Sequence, residues 1–494
     1  MSTNERSSML YRFGDAAPVG LLLGMPARQA APVVIGILWL TLALMAQQPL
    51  VGLPGPLAGV ALAFGRFRGV PLFEIAGPGL RLGLRRRRPW TRTSLLGSSD
   101  GEQDLPQAMA GLELLDMAAH WLAAEQRVAV VRDRRLDSVS LVMPVEGEGF
   151  PVASLAEQDA ILEAWGSALA PLARAKCALS RLTWQEWSRP VGVEGHRDYL
   201  QTVAGSDTPG AARDDYEQLL HSQEPFTIAH EVLMTLTVDL RRVRARRSKS
   251  QVTSAIDALL DETRMLSTRL EAAGMRVGAP LDARALSDAI RLRSDPHRSA
   301  TAHRGRRRSL AVSAGRTLSS WGPMAVESSW IQVRVDGSFH RSYYVARWPM
   351  LPVPADWMGP LLTGDTATRT VTIVLEPVPL AKASMEANRH LTSIEADHEQ
   401  KARHGFRLTA RERRRRNDVE SRERELAEGH PEFRFVGIVT VTAGTEDALD
   451  DAAADVEQSA AQSLIELRPL AARQEDGWVA SLPLGRSVRQ GAWS

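Results

Sequence analysis

"QAAPVVIGILWLTLALMAQQPLVGLPGPLAGVALAFG", residues 29–65, holds no Asp, Glu, Lys or Arg across 37 positions. Its reading decides the expected fold class. A charge at mid-bilayer costs about 2.5–3.5 kcal/mol on insertion scales, so a run kept free of charge is expected to lie in lipid. One crossing needs about 20 apolar residues, and this run is nearly twice that length. Gln47, Gln48, Pro49, Gly52, Pro54, Gly55 and Pro56 interrupt its middle, which predicts two helices and a tight turn in place of one long helix. Gly55 and Gly59 have the GxxxG spacing that lets helices approach closely.

The flanks set an orientation. Arg6, Arg12 and Arg28 precede the run, and Arg66, Arg68, Arg81, Arg85, Arg86, Arg87 and Arg88 follow it. Cytoplasmic flanks carry the excess of Lys and Arg, so both termini are expected inside, on a multi-pass protein of the inner membrane. Arg66, Arg68, Arg85, Arg86, Arg87, Arg88 and Trp90 are the candidate membrane-interface residues. Each arginine would gain about 1 kcal/mol near anionic headgroups, and Trp90 would anchor at the same level. A cleaved signal peptide fits poorly, because the run starts late and is followed by arginines in place of a small-residue cleavage site. A buried hairpin in a soluble protein is the competing reading.

At 494 residues the chain can hold two or more domains. It carries 56 Arg against four Lys, at a net charge of +2. A skew that general reflects codon usage before chemistry, so arginine content alone does not point to nucleic acid. Cys177 is the only cysteine, which excludes an internal disulfide and a Cys-based zinc site and fits a reducing cytoplasm.

Beyond the polar linker 91–104 the pattern alternates between strands and helices. "RVAVVRD" and "DSVSLVMPVEG" read as paired strands, the second alternating Val139, Leu141 and Met143. Ser154 and Glu157 form a capping box ahead of a helix with Ile161, Leu162, Trp165, Leu169 and Leu172 at helical spacing. "FTIAHEVLMTLTVDL" alternates Val232, Met234, Leu236 and Val238 as a half-buried strand, and the helix after it stops at Gly274. Asp336 and Gly337 mark a hairpin turn, and "TVTIVLEPVP" and "FRFVGIVTVTA" are further strands. A strongly charged pair of long helices separates those two, with a break near His404, Gly405 and Phe406. Thr445 caps the last long helix, and a final strand is expected to end in Leu482, Pro483, Leu484 and Gly485.

The expected fold is a membrane-anchored α/β (α+β) protein, a two-helix transmembrane hairpin followed by a cytosolic mixed α/β domain with a long helical hairpin. Its divisions are a cytosolic tail (1–28), the transmembrane hairpin (29–70) and a basic juxtamembrane segment with linker (71–104). An α/β subdomain (105–293), a basic mobile loop (294–320) and a strand-rich segment (321–380) follow. The helical hairpin (381–430) and a final α/β segment (431–494) complete the chain.

The search for chemistry returns little. Gly97 to Gly101 fits G-x-S-x-G, but a nucleophile elbow needs a strand before it and a helix after it, and both sides are linker. There is no Gly-Lys dipeptide anywhere, so no Walker-type phosphate cradle exists. No H-E-x-x-H occurs; His398 and His404 stand six apart and cannot share a metal on one helix face. No catalytic group and no cofactor is expected. Arginine clusters at 241–247, 304–308 and 411–416 read first as solvated faces, with Arg241, Arg242, Arg306 and Arg307 as candidate nucleic-acid contacts.

Two resemblances add an identity to this pattern. Tyr11, Arg12, Phe13, the hydrophobic hairpin, then Gly69, Pro71, Leu72, Arg87 and Trp90 resemble the PrgI-type small inner-membrane proteins of conjugative elements. Residues 104–486 resemble the N-terminal domain of conjugation and type IV secretion ATPases. That likeness rests on "GEGFPVASLAEQDAILEAWGSAL", the helical hairpin, "IVTVTAGTEDALDDAAADVEQ" and the terminal "LPLGR". Such a fusion is similar to actinobacterial conjugation-like integral membrane proteins that lack the ATPase domain. It implies a non-enzymatic inner-membrane component of a transfer apparatus, with membrane lipid, a separately encoded ATPase and copies of itself as partners. The alternatives are a type VII secretion-like membrane subunit and a membrane-tethered nucleic-acid-binding protein.

Overall fold

The computed structural model describes residues 27–488 apart from 68–69, 85–88, 93–103, 120, 122–125, 148, 175, 192, 194–195, 198–199, 201–209, 224–226, 245–249, 298–320, 365–366, 404–409 and 428–429. The chain begins with helices α1 (Ala27–Met45), α2 (Pro49–Gly52) and α3 (Pro54–Phe64), the short strands β1 (Arg66–Phe67) and β2 (Val70–Pro71), and α4 (Leu72–Leu84). β3 (Trp90–Thr91) leads to a meander of β4 (Leu112–Ala118), β5 (Arg127–Asp133) and β6 (Ser138–Glu146). Next come α5 (Leu155–Leu169), β7 (Leu179–Pro190), α6 (Gly210–Gln223), β8 (Ile228–Asp239), α7 (Gln251–Ala272), β9 (Arg276–Val277) and α8 (Ala283–Ser294).

A second series repeats that order. β10 (Ala325–Ser328), β11 (Val333–Val335) and β12 (Ser338–Arg347) form its meander. They are followed by α9 (Gly359–Leu362), β13 (Thr368–Val378), α10 (Leu380–Arg403), α11 (Ala410–Ala427), β14 (Glu432–Ala443), α12 (Glu446–Gln462), β15 (Glu466–Pro469) and α13 (Gln474–Ala480).

The strands join in one antiparallel sheet of order β3-β10-β11-β12-β14-β13-β7-β8-β6-β5-β4. The order reads alike from both edges inward: a meander, its third strand paired with the fifth, then the fourth at the centre. β9 pairs with β6 as β15 pairs with β12. The two series are therefore related by a pseudo-twofold axis between β7 and β13, which pair over seven residues from Arg369 with Ser188 to Leu375 with Leu182. Strand alternation sorts the side chains into three cores. On one face each half has its own: Val130, Leu141, Leu236 and Leu259 beneath α5 and α7, and Val371, Val439, Leu449 and Val456 beneath α9 and α12. On the other face the halves share a core that unites Val131, Val142 and Leu286 with Val333, Trp478 and Leu482.

Local signals act as chain chemistry requires. Ser154 and Glu157 exchange both capping-box bonds, and Thr445 accepts from Ala448 N. Asp336 turns β11 into β12 at φ +50°, while Gly274 follows α7 at φ +83°. Two strand readings need correction. β8 is buried on both faces, since Leu233, Thr235 and Thr237 are as enclosed as Met234 and Leu236; it lies inside the sheet under helices on one side and the chain terminus on the other. Residues 482–485 form no strand. Pro483 lacks the N–H a ladder needs, and side chains bind this backbone.

The largest correction concerns residues 29–65. Among the described residues no helix is long and apolar enough to cross a membrane. The transmembrane hairpin, the multi-pass inner-membrane placement and the membrane-anchored fold class therefore do not hold. α3 has 11 residues, a rise of roughly 16 Å against a hydrocarbon core of about 30 Å. α1 has 19 residues but spends its start on Arg28 and Gln29 and contains Pro32. The prolines and glycines that divide the run leave each piece short. What forms instead is a small helical packing unit: a Cβ on Gly36 would stand 2.5 Å from Gly55 O, and one on Gly59 would stand 2.5 Å from Pro32 O. Gln29 Nε2 donates to Ala63 O and Trp39 Nε1 to Val51 O, at 3.2 and 3.0 Å.

Candidate functional site

Three features of the fold are candidates for function: the buried terminal segment, a polar seam along the sheet, and the helical hairpin between β13 and β14. Residues 478–486 cross the shared face of the sheet at its pseudo-twofold axis. Gln185, on central strand β7, donates through Nε2 to Ala480 O and Leu482 O at 3.3 and 3.0 Å. Arg181 donates to Gly485 O at 2.7 Å. Gly485 sits at φ +71°, and a Cβ there would lie 2.2 Å from Ser140 Oγ, so only glycine fits. Arg486 closes the segment with a bidentate pair to Asp133, Nε–Oδ2 2.7 Å and Nη2–Oδ1 3.1 Å, and donates to Ala110 O at 2.8 Å. Both charges are nearly enclosed, with 12% and 5% of their side chains exposed. The terminal Leu-Pro-Leu-Gly-Arg is thus a fixed part of the core.

Short hydroxyl side chains line the face beneath it because the segment needs room and hydrogen-bond partners there. Ser140 and Thr237 share a hydrogen bond at 2.9 Å, as do Ser342 and Thr440. Gln474 donates to Ser342 O at 3.1 Å and accepts from Ser342 N at 2.7 Å. At the end of α8, His340 Nδ1 lies 2.9 Å from Thr442 Oγ1 and Nε2 lies 2.8 Å from Ser294 O. A carbonyl only accepts, so Nε2 carries the proton and Thr442 donates to Nδ1. Burial drives the His340 pKa down to about 4, against a weaker upward pull from Ser294 and Asp295. The ring is neutral at neutral pH.

Two ionic groupings lie near the same end of β7. Glu186 Oε1 stands 2.8 Å from His230 Nδ1, with Ser188 Oγ 3.1 Å from that nitrogen; burial raises the Glu186 carboxyl and His230 opposes it. On the opposite face Trp187 is flanked by the guanidinium carbons of Arg189 and Arg293 at 5.0 and 4.9 Å. Arg293 bonds Glu231 at 3.0 Å. Among the described residues, no three His, Cys, Asp or Glu side chains are placed to hold a metal.

The hairpin α10–α11 is held firmly at its base. Val378, Ala383, Ala387 and Leu426 form a small core. Arg434 Nη2 reaches both oxygens of Glu386 at 2.8 Å, and Arg422 grips Glu432 at 3.0 and 2.6 Å. Farther out, an open groove of ≈ 770 Å³ runs along α10, lined by Ala381, Ser384, Met385, Asn388, Arg389 and Thr392 among others. Their spacing keeps them on one helix face. Met385 is half exposed in that groove, on a hairpin whose other surfaces are charged.

The residues proposed from sequence are dispersed. Arg66 is exposed on β1; Arg68, Arg85, Arg86, Arg87 and Arg88 lie outside the described residues. Trp90 pairs with Val326 at the sheet edge and packs on the shared core, so its place is structural. Arg241 is exposed and pairs with Asp137 at 3.4 Å, while Arg242 donates to Leu179 O at 2.7 Å. Arg306 and Arg307, with most of the 294–320 loop, lie outside the described residues, as do Gly97 to Gly101. β7 was missed altogether, with Arg181, Gln185, Glu186 and Trp187: "LSRLTWQEWSRP" has polar residues on both faces, and only its central position explains them. No family model matches this chain, and no curated protein matches it.

Proposed function

We propose that the chain is a non-enzymatic docking subunit of a conjugation or type IV secretion-like transfer apparatus, and that it holds a separately encoded ATPase through α10–α11. The observation that carries this reading is the groove along α10: a mostly uncharged face, with Arg389 as its one cation, on a charged hairpin fastened by two Arg–Glu pairs to the inner strand β14. A groove of this kind takes a partner helix laid along it. Two features of the chain support the assignment. It has no Gly-Lys dipeptide with which to hold nucleotide phosphates. Its terminal Leu-Pro-Leu-Gly-Arg, which resembles the junction before a motor domain, is closed into the core. Force from a motor on another chain would enter through the hairpin and reach the paired strands β13 and β14.

Affinity purification of the full chain from its source cells, with peptide identification of co-purifying Walker-A proteins, tests this. The unaltered chain is expected to retain a P-loop ATPase, and Met385→Glu with Thr392→Glu to lose it, while Asp451→Ala on α12 retains it. Equal recovery with the groove variant, or no P-loop ATPase in either sample, overturns the reading.

A further inference from the structure

The hairpin α1–α3 carries most of the exposed large hydrophobic side chains among the described residues. Among the described residues, fifteen large hydrophobic side chains between Val34 and Phe64 are exposed, with Met45 at 83%, Leu50 at 81% and Leu57 at 71%. The facing sides of the two helices are already used, because Gly36, Gly52, Gly55 and Gly59 bring their backbones together. Among the described residues nothing covers the outward sides. Yet the unit is not a loose tail: Val70 and Ile75 after it are buried, Tyr344 Oη donates to Glu74 Oε2 at 3.4 Å, and Gly79 lies against Trp330.

The size of this surface identifies what covers it. Burying one such side chain fully is worth about 1.5–3 kcal/mol at about 25 cal/mol per Å², or roughly 60–120 Å² each. Fifteen side chains at about half exposure offer on the order of 700 Å². The largest apolar patch on a stable monomer is about 300–600 Å², whereas a standard interface takes about 800 Å² from each partner. The patch therefore has the area of one side of a dimer. Its chemistry narrows the partner further. Residues 29–65 contain no Asp, Glu, Lys or Arg, so a charged partner surface would be desolvated without compensation. The equally charge-free hairpin of another copy meets no such cost, and a twofold pairing lets one patch serve both chains.

We infer that the outward faces of α1 and α3 pair with the same faces of a second copy of this chain. This pairing stands independently of ATPase docking. It joins two sheets through their N-terminal helices and leaves both α10–α11 hairpins open.

Sedimentation velocity of the full chain in detergent-free buffer, over a wide concentration range, tests it. A dimer is expected, with Leu42→Glu plus Leu57→Glu weakening it by about 100-fold or more through unpaired buried carboxylates. Circular dichroism of that variant should be unchanged, since both side chains are exposed. Leu57→Cys supplies a second readout. The native thiol, Cys177, is buried, so oxidation should link the Leu57→Cys chains into covalent dimers, while Asp451→Cys should not. A monomer at all concentrations, or covalent linkage no faster for Leu57→Cys than for Asp451→Cys, overturns the pairing. So does a chain that leaves solution with vesicles of phosphatidylcholine and phosphatidylglycerol as a monomer, which would assign the surface to lipid. A monomer that becomes a dimer only when residues 1–26 are removed also overturns it, because the chain's own N-terminal segment would then be the cover.

Discussion

The two halves of the sheet share an order of elements and differ in three places. Between the fourth and fifth strands of the first half stands α6, of 14 residues, where the second half inserts α10 and α11, of 24 and 18. Ser140 of β6 meets Thr237 across the strands as Ser342 of β12 meets Thr440, and the second half adds His340 opposite Thr442. And while α8 in the first half ends in the buried Ser294 and Asp295, which bonds Gly337 and Ser338, α13 in the second leads into the terminal segment that closes the shared face. A common scaffold has thus been kept for packing, and each departure adds either a projecting surface or a buried polar contact. The halves are alike where apolar strands need covering and unlike where something besides covering is done.

Each departure can be tested by making one half resemble the other. The terminal segment should matter most. Trp478→Ala empties a fully buried site in the shared core and should cost about 3–5 kcal/mol in urea unfolding. Arg486→Ala leaves Asp133 buried and unpaired and should cost about 3–5 kcal/mol, close behind it. Removing both charges with Asp133→Leu and Arg486→Met should recover much of that loss, which distinguishes a charge penalty from simple loss of packing.

His340 gives the next effect. Its folded pKa of about 4 lies below the ordinary 6.5, so the unfolded chain binds the proton first as pH falls. Its contribution is complete above about pH 6.5 and is lost on descending toward pH 4, by about 3 kcal/mol. His340→Ser, which keeps a hydroxyl opposite Thr442, should flatten that part of the stability–pH curve even if it lowers stability at neutral pH. The smallest effect on the sheet should come from replacing residues 382–426 with a short turn. That removes a satellite core of four residues and should cost only about 1–3 kcal/mol of unfolding free energy, while abolishing recovery of the P-loop ATPase.

How much was legible in advance follows from how local each signal was. The Ser154–Glu157 capping box, the Thr445 cap, the Asp336 turn and the charged pair of helices are read from neighbouring residues, and the same residues perform those roles in the fold. β7 was invisible because its Arg181, Gln185 and Glu186 make sense only beside the terminal segment, β8 and β13. Arg242 looked like one member of a basic cluster until its guanidinium was placed on Leu179 O. Trp90 looked like a membrane anchor until its strand was paired.

The charge-free run shows where sequence reasoning ends. By itself the sequence determined that residues 29–65 form apolar helices interrupted between Met45 and Pro54, because proline and glycine act on their own backbone. It also determined that nucleotide phosphates have no Gly-Lys cradle. Only the tertiary structure decided that these helices are too short to cross a bilayer, that Trp478 and Arg486 belong to the core, and that two series of strands form one sheet about a pseudo-twofold axis. Helix ends and turns depend on a few adjacent residues, whereas burial depends on which distant segments arrive beside them.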